Sequence, residues 1–238
     1  MLLVRYSKTQ VNRSGKLLAE QMRIAILDTG HPDLDPAALA QAIEVVEWWR
    51  SEHSRPLSRV ATNLRNYAAE EGPPVVAQRL KRLPTIAGKL LREPKMNLAR
   101  MADIGGARAV VSDQASAFRI AQRLERNWTI TRVHDYVTHP KSDGYRALHL
   151  INRHRGRLIE IQLRTSHQDR WANTVEAFSR TVAPGLKFGG GPAPLREYFR
   201  SLGELFAALD VEAPLDPAML KRVAELASGA LSSIQRPE

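Results

Sequence analysis

The stretch Leu158-Ile-Glu-Ile-Gln-Leu-Arg-Thr165 constrains this chain more than any other. It alternates. Ile159, Ile161 and Leu163 point one way, and Leu158, Glu160, Gln162 and Arg164 the other, as in a strand with one apolar face. Residues 145–150 alternate too: Tyr145, Ala147 and His149 share one face, and Arg146, Leu148 and Leu150 the other. Segment 152–157 contains Gly156 and fits a turn between two strands, with a short loop as the alternative. With these strands as neighbours, one sheet surface carries a phenol, an imidazole, a carboxylate, an amide and a guanidinium. Ordinary strand faces favour Thr and Val, so this choice of side chains argues for a site over a plain hairpin.

Elsewhere the pattern predicts helices before and after an α/β (α+β) core. Residues 1–12 read as polar and poorly anchored. Helical spacing of Leu17, Leu18, Met22, Ala25 and Ile26 predicts a helix over 14–28 with Ser14 as N-cap. A break follows at Gly30 and Pro32. Asp35-Pro36 opens a second helix, with Leu39, Ala42, Ile43, Val46 and Trp49 as its stripe. After a break at Pro56, a third helix turns Leu57, Val60, Ala61, Leu64 and Ala68 inward. A helical region thus spans 1–74. The core, 75–182, begins with a short strand at Val75 and a basic helix over 84–92. A loop over 97–106 precedes a strand over 107–111. Asp113 caps a helix, a strand covers 129–137, and Thr165 or Ser166 caps a helix running to about 180. Strands alternating with helices fit a mixed sheet flanked by helices. The last region, 183–238, opens with a Gly-rich connector or lid over 185–194, followed by helices over 195–209 and 217–234.

With 35 Lys and Arg against 25 Asp and Glu, the net charge is +10, which favours phosphate-rich partners: nucleotides, RNA or DNA. Aromatic residues are 6% of the chain, too few for an extended base-stacking platform. No apolar run approaches the roughly 20 residues a membrane span needs. The first residues do not make a signal peptide, so a cytoplasmic location is the expectation. Cysteine is absent, which removes disulfides, thiolate ligands and a thiol nucleophile. The seven histidines show no HExxH-type spacing, which argues against zinc.

Two carboxylates stand out. Asp103 precedes Gly105-Gly106 and a strand, and Glu160 lies on the polar face of another. Such a pair suits Mg²⁺, which takes few protein oxygens and leaves places for phosphate and water. Cations accompany them: Arg79, Lys81, Lys89, Arg92, Arg108 and Lys141, with Lys89 and Arg92 three apart on one helix face. Such charges would position a triphosphate and offset charge developing during its transfer. Tyr145, after Gly144, is placed to stack on a base.

In order and spacing, Arg79-x-Lys81, Lys89-x-x-Arg92, Met101-Ala-Asp103-Ile-Gly-Gly-Ala-Arg108, Asp135-Tyr136, Pro140-Lys141-x-x-Gly144-Tyr145-Arg-Ala-Leu148-His149 and Glu160-Ile-Gln162-Leu-Arg164-Thr165, with Trp171-Ala172, resemble the synthetase domain of RelA/SpoT homologues, the (p)ppGpp synthetases. The resemblance covers 79–176 and looks like that of a stand-alone small alarmone synthetase. It implies a nucleotidyltransferase-like fold and Mg²⁺-dependent transfer of the β,γ-pyrophosphate of ATP to the ribose 3′-hydroxyl of GDP or GTP. By position it implies that Asp103 and Glu160 bind the metal, Glu160 also being placed to take the hydroxyl proton. Arg79 and Arg108 would sandwich adenine. Lys81, Lys89 and Arg92 would hold the ATP phosphates. Tyr145 would stack on the acceptor base, with Lys141, His149, Gln162 and Arg164 along the acceptor side. The chain departs from the family at Asp143, where Asn or Ser is common, at Ala147, and at Asn173, where a Glu-His pair usually begins. The stretches around Tyr6 and 186–192 are similar to the toxic small alarmone synthetases. That branch implies the 3′ CCA end of tRNA or an adenine nucleotide as the alternative acceptor, and a protein antitoxin as partner. The resemblance leaves the oligomeric state open, since small members often form tetramers.

Overall fold

The computed structural model describes residues 6–27, 36–183 and 185–235. Three helices come first: α1 (Lys8–Leu27), α2 (Pro36–Ser51) and α3 (Ser54–Ala69). The core follows as β1 (Val75–Leu80), α4 (Leu83–Arg92), β2 (Gly105–Val111), α5 (Gln114–Asn127), β3 (Ile130–Asp135), β4 (Leu148–His154), β5 (Arg157–Thr165) and α6 (Ser166–Thr181). Two helices end it, α7 (Ala193–Asp210) and α8 (Pro217–Gln235). The strands form one sheet in the order β1-β2-β5-β4-β3.

The expected α/β pattern is present, with instructive differences. Residues 8–12 are helical, and Val11 is fully buried. The helix begins earlier than Ser14 because Ser7 and Gln10 make a reciprocal cap: the Gln10 amide donates to the Ser7 hydroxyl and the Ser7 amide to the Gln10 side chain. Pro56 does not break the chain; it sits in the first turn of α3, where a missing N–H costs nothing. The α3 stripe is buried as expected, whereas on α2 Ile43 is 36% exposed and Val45 takes the buried place. The predicted break at Gly30 and Pro32 and the Asp35 cap lie outside the described residues. Asp113 caps α5 by accepting from the Ser116 amide, and Thr165 caps α6 in a capping box with Gln168.

The strand pair turns more tightly than segment 152–157 implied. Arg155 and Gly156 both have positive φ, 49° and 75°, the signature of a two-residue type I′ hairpin. In β5, Ile159, Ile161 and Leu163 are fully buried while Glu160 and Gln162 are half-buried, as the alternation requires. The preceding strand starts at Leu148, so Tyr145 stands in the irregular segment before it.

The chain divides into two compact units. The first is Met1–Asn63, Ala77–Ala107 and Ile151–Ile161; the second is Leu64–Val76, Arg108–Leu150 and Gln162–Glu238. In the first, Val46, Trp49, Ile86, Leu98, Met101 and Ile104 centre a core between α1, α2 and α4. In the second, Trp171, Val175, Leu186, Leu195 and Phe199 join α6 to α7.

Candidate active site

Within the first unit, Asp103 lies in the loop that enters β2. Its Oδ2 accepts from Lys81 Nζ at 2.8 Å and its Oδ1 from Lys89 Nζ at 3.0 Å. Backbone bonds set this meeting up. The Lys81 amide donates to the Ile104 carbonyl, tying the end of β1 to the loop, and Arg50 Nε donates to the Lys81 carbonyl. Burial pushes the Asp103 carboxyl up, but Lys81 and Lys89 together outweigh it and hold the group below the usual carboxylate range. All three side chains are about one-fifth exposed or less (20%, 13% and 21%), so the cluster is reachable from water.

Glu160 belongs to the same unit, on β5, which neighbours β2. Gly105, two residues beyond Asp103, lies so close to Ile159 that an added Cβ would stand 2.8 Å from Ile159 Cδ1. The glycine lets the backbone following one carboxylate approach the backbone preceding the other. Of the predicted cations, Arg92 follows Lys89 by three residues at the exposed end of α4, and Arg79 is exposed on β1, where it makes no ion pair with a described residue. Among the described residues no three His, Asp or Glu side chains gather into a protein cage for a metal. Mg²⁺ asks for less, one or two carboxylates plus substrate phosphates and water, and Asp103 and Glu160 fit that donor set.

The second unit brings together all five residues assigned to the acceptor side. The Tyr145 hydroxyl lies 2.6 Å from His149 Nε2, and Arg164 Nη2 donates to that hydroxyl at 2.9 Å and to Gln162 Oε1 at 2.9 Å. Lys141 Nζ stands 4.7 Å from the Tyr136 ring centroid and 5.0 Å from that of Tyr145. Tyr145 also meets Trp171 and Tyr136 by ring contacts of 5.9 and 6.0 Å. Arg164 is only 6% exposed. Burial disfavours its charge, but the Tyr145 hydroxyl and Asp169 more than compensate, so its pKa is raised.

The loop carrying Tyr145 is set by Asp143, whose Oδ1 accepts from the Tyr145 amide at 2.9 Å, and by Gly144 at φ 93°. An added Cβ at Gly144 would stand 3.0 Å from Arg200 Cα on α7, and one at Gly203 would stand 2.6 Å from the Gly144 carbonyl oxygen. Both glycines are therefore needed for the loop to lie on α7. A cavity of about 390 Å³ adjoins it, lined by Asp143, Trp171, Leu186, Gly189, Arg196 and Arg200 among others. Arg196 donates to the Gly189 carbonyl, so the Gly-rich segment is a pinned wall here.

Arg108 is drawn to α6. Its Nη1 lies 3.1 Å from Asp169 Oδ1 and 3.4 Å from Asn173 Oδ1. Asp169 carries part of this arrangement without standing out in the sequence, and Tyr136, part of the Asp135-Tyr136 motif, joins it without a role having been assigned to it. The signal was there: Asp169 and Asn173 are four apart in the helix that Thr165 caps, hence on one face.

Residues 78–180 match the model of the region found in RelA/SpoT proteins. An uncharacterized protein of Mycobacterium tuberculosis is 27% identical over 181 residues, 74% of this chain, and the chain spans 62% of that protein's length. The bifunctional (p)ppGpp synthase/hydrolase SpoT of Escherichia coli is 27% identical over 163 residues, 66% of this chain and 23% of SpoT. The fold is that of solved small alarmone synthetases. Synthetase 1 of Bacillus subtilis, bound to its product pppGpp, superposes with a TM-score of 0.59 at 21% identity, covering 70% of this chain and 94% of that one. Residues 78–180, under half of the chain, are thus similar to the region found in RelA/SpoT proteins, and the chain shares with those solved structures a five-stranded sheet flanked by helices.

Proposed function

We propose that this protein transfers the β,γ-pyrophosphate of ATP to the ribose 3′-hydroxyl of GDP or GTP, giving (p)ppGpp and AMP. The observation that carries the reading is the carboxylate of Asp103 between Lys81 and Lys89. One negative against two positive charges leaves room for phosphate, and the lysines can exchange the carboxylate for phosphate oxygens. Asp103 and Glu160 would hold Mg²⁺, which when bound neutralises charge on the transferred group. Lys81 and Lys89 bind the phosphates, assisted by Arg92. Arg79 and Arg108 take the adenine. Tyr145 stacks on the acceptor base, with Lys141, His149, Gln162 and Arg164 along its sugar and phosphates. The 3′-oxygen forms a bond to the β-phosphorus as the bond from that phosphorus to the α,β-bridging oxygen breaks. AMP leaves with the electron pair, and Glu160 takes the hydroxyl proton.

A longer acceptor, the 3′ end of tRNA, is the second reading. It is favoured by the +10 charge and by His134, exposed on β3, which stacks at 5.8 Å and 4° on Tyr136 and so extends the ring contacts outward from Tyr145. The test is ATP labelled at the γ-phosphate, offered with GDP, GTP, an adenine nucleotide or tRNA. Label is expected on the guanine nucleotides, abolished by EDTA and restored by Mg²⁺. Label on tRNA alone would replace the acceptor and keep the chemistry. Unaltered transfer by both Asp103→Ala and Glu160→Gln would overturn the site.

A further inference from the structure

Asp169 stands where the two halves of the proposed reaction meet in one side chain. Its Oδ1 accepts from Arg164 Nη1 at 3.0 Å and pairs with Arg108 Nη1 at 3.1 Å; its Oδ2 accepts from Asn173 Nδ2 at 2.9 Å. Among the described residues it is the only carboxylate paired with either guanidinium. The Asp169 side chain is 17% exposed, with Arg164 at 8% and Arg108 at 33%. Arg164 also donates to Tyr145 and Gln162, so its plane is fixed from three directions. Among the described residues, Arg108 is held by Asp169 and Asn173 of α6.

We propose that Asp169 is a positioning residue that couples the two nucleotides: it ties the freer Arg108 to Arg164, already held on the acceptor side, so that acceptor binding steadies Arg108 for ATP and ATP bound through Arg108 steadies the Asp169–Arg164 network for the acceptor. The inference rests on the roles given to Arg108 and Arg164 above. The physical reason is shared ordering. A long, partly exposed guanidinium loses rotamer freedom when a ligand captures it. A carboxylate oxygen bonded to two guanidiniums transmits that ordering, so the first ligand bears a cost the second then avoids. Asn173 fits this scheme. A second carboxylate there would give each arginine its own partner; the neutral amide donates to Asp169 and leaves one anion to be shared. Two guanidiniums against one carboxylate also leave a net positive charge for the nucleotides.

Linkage supplies a test that a purely structural role would not satisfy, because coupling between two ligands is reciprocal. The ligands are GDP and α,β-methylene-ATP, which cannot be cleaved at the bond that breaks, each titrated calorimetrically with and without saturating amounts of the other. In the unaltered protein each is expected to tighten the other about fivefold or more, the lower end of coupling between linked sites. In Asp169→Asn, which keeps the shape and removes the charge, the factor should fall to about one, with both nucleotides still binding. Arg108→Gln, which leaves the Arg164–Asp169 pair intact, provides the second arm should Asp169→Asn not fold. It should weaken ATP, leave GDP affinity alone and abolish coupling. Coupling that is absent from the unaltered protein, or that survives in these variants, overturns the inference. If the labelled-ATP assay still shows transfer that depends on Asp103, only the coupling has failed; if no acceptor takes label, the reaction itself is wrong.

Discussion

The Asp103 cluster and the Arg164 cluster are both charged, and they are built in opposite ways. Asp103, Lys81 and Lys89 come from a loop, a strand end and a helix, and two single-point contacts hold them together. An ammonium has three rotatable donors and no fixed plane, so these bonds are easily exchanged. Arg164 is a planar group in a nearly closed environment with three acceptors at fixed angles. The first arrangement suits a site whose charges change partners when a triphosphate arrives. The second suits a site that must hold its shape before anything binds.

Each cluster therefore predicts a different separation of activity from stability. The largest effect belongs to the exchangeable site. Asp103→Ala should lower pyrophosphate transfer by about 10³-fold or more, the scale of losing a principal electrostatic group, while thermal melting moves by a few degrees. Melting that collapses with activity would make Asp103 structural and erase the contrast. Next is Arg164→Ala. Emptying this buried position, whose two Nη atoms bond three acceptors, should cost about 3 kcal/mol in urea unfolding. A cost below about 1 kcal/mol would mean that the Tyr145 arrangement does not depend on it.

The third prediction concerns pH. His53 is 1% exposed in the first unit and bonds through Nδ1 to the Trp49 carbonyl. Burial first, and Arg157 to a lesser degree, push it down to about 4, against the bond to Trp49. Since the unfolded chain titrates near 6.5, it binds more protons than the folded chain between about 6.5 and 4. Stability should be full above that window and fall through it on acidification, by about 3 kcal/mol in total. The Asp103 shift acts in the same direction at still lower pH, because a depressed carboxylate loses its contribution as it protonates. Urea unfolding between pH 7 and 4 measures this, and a flat profile would show His53 to be charged in the fold.

The smallest effect tests the loop beneath Tyr145. Gly144→Ala must accommodate φ 93° and a contact 3.0 Å from Arg200 Cα, at a cost of about 1–3 kcal/mol. Gly106→Ala is the control: nothing lies within 4 Å of its added Cβ, so stability should change by no more than about 1 kcal/mol. Equal effects at the two glycines would remove the claim that the acceptor side is held by backbone packing on α7.

Much of this was legible from local pattern. The polar face of β5, the caps at Asp113 and Thr165, and the α3 stripe follow from periodicity and hydrogen-bond chemistry within a few residues. The Ser7–Gln10 cap was equally local and passed unread, so α1 was expected to begin too late. Asp169 was hidden for another reason. Its partners are 5 and 61 positions away, and a lone acid in a first helical turn is what a helix dipole favours in any case.

The sequence by itself determined which side chains share a face, because the two-residue period of a strand and the 3.6-residue turn of a helix are properties of the backbone. Only the tertiary structure decided which charges meet. That Asp103 faces two lysines, and that Asp169 faces two arginines, depends on strand order and on glycines where backbones come close. A carboxylate takes whichever cation packing brings within about 3 Å, and no local rule specifies that neighbour.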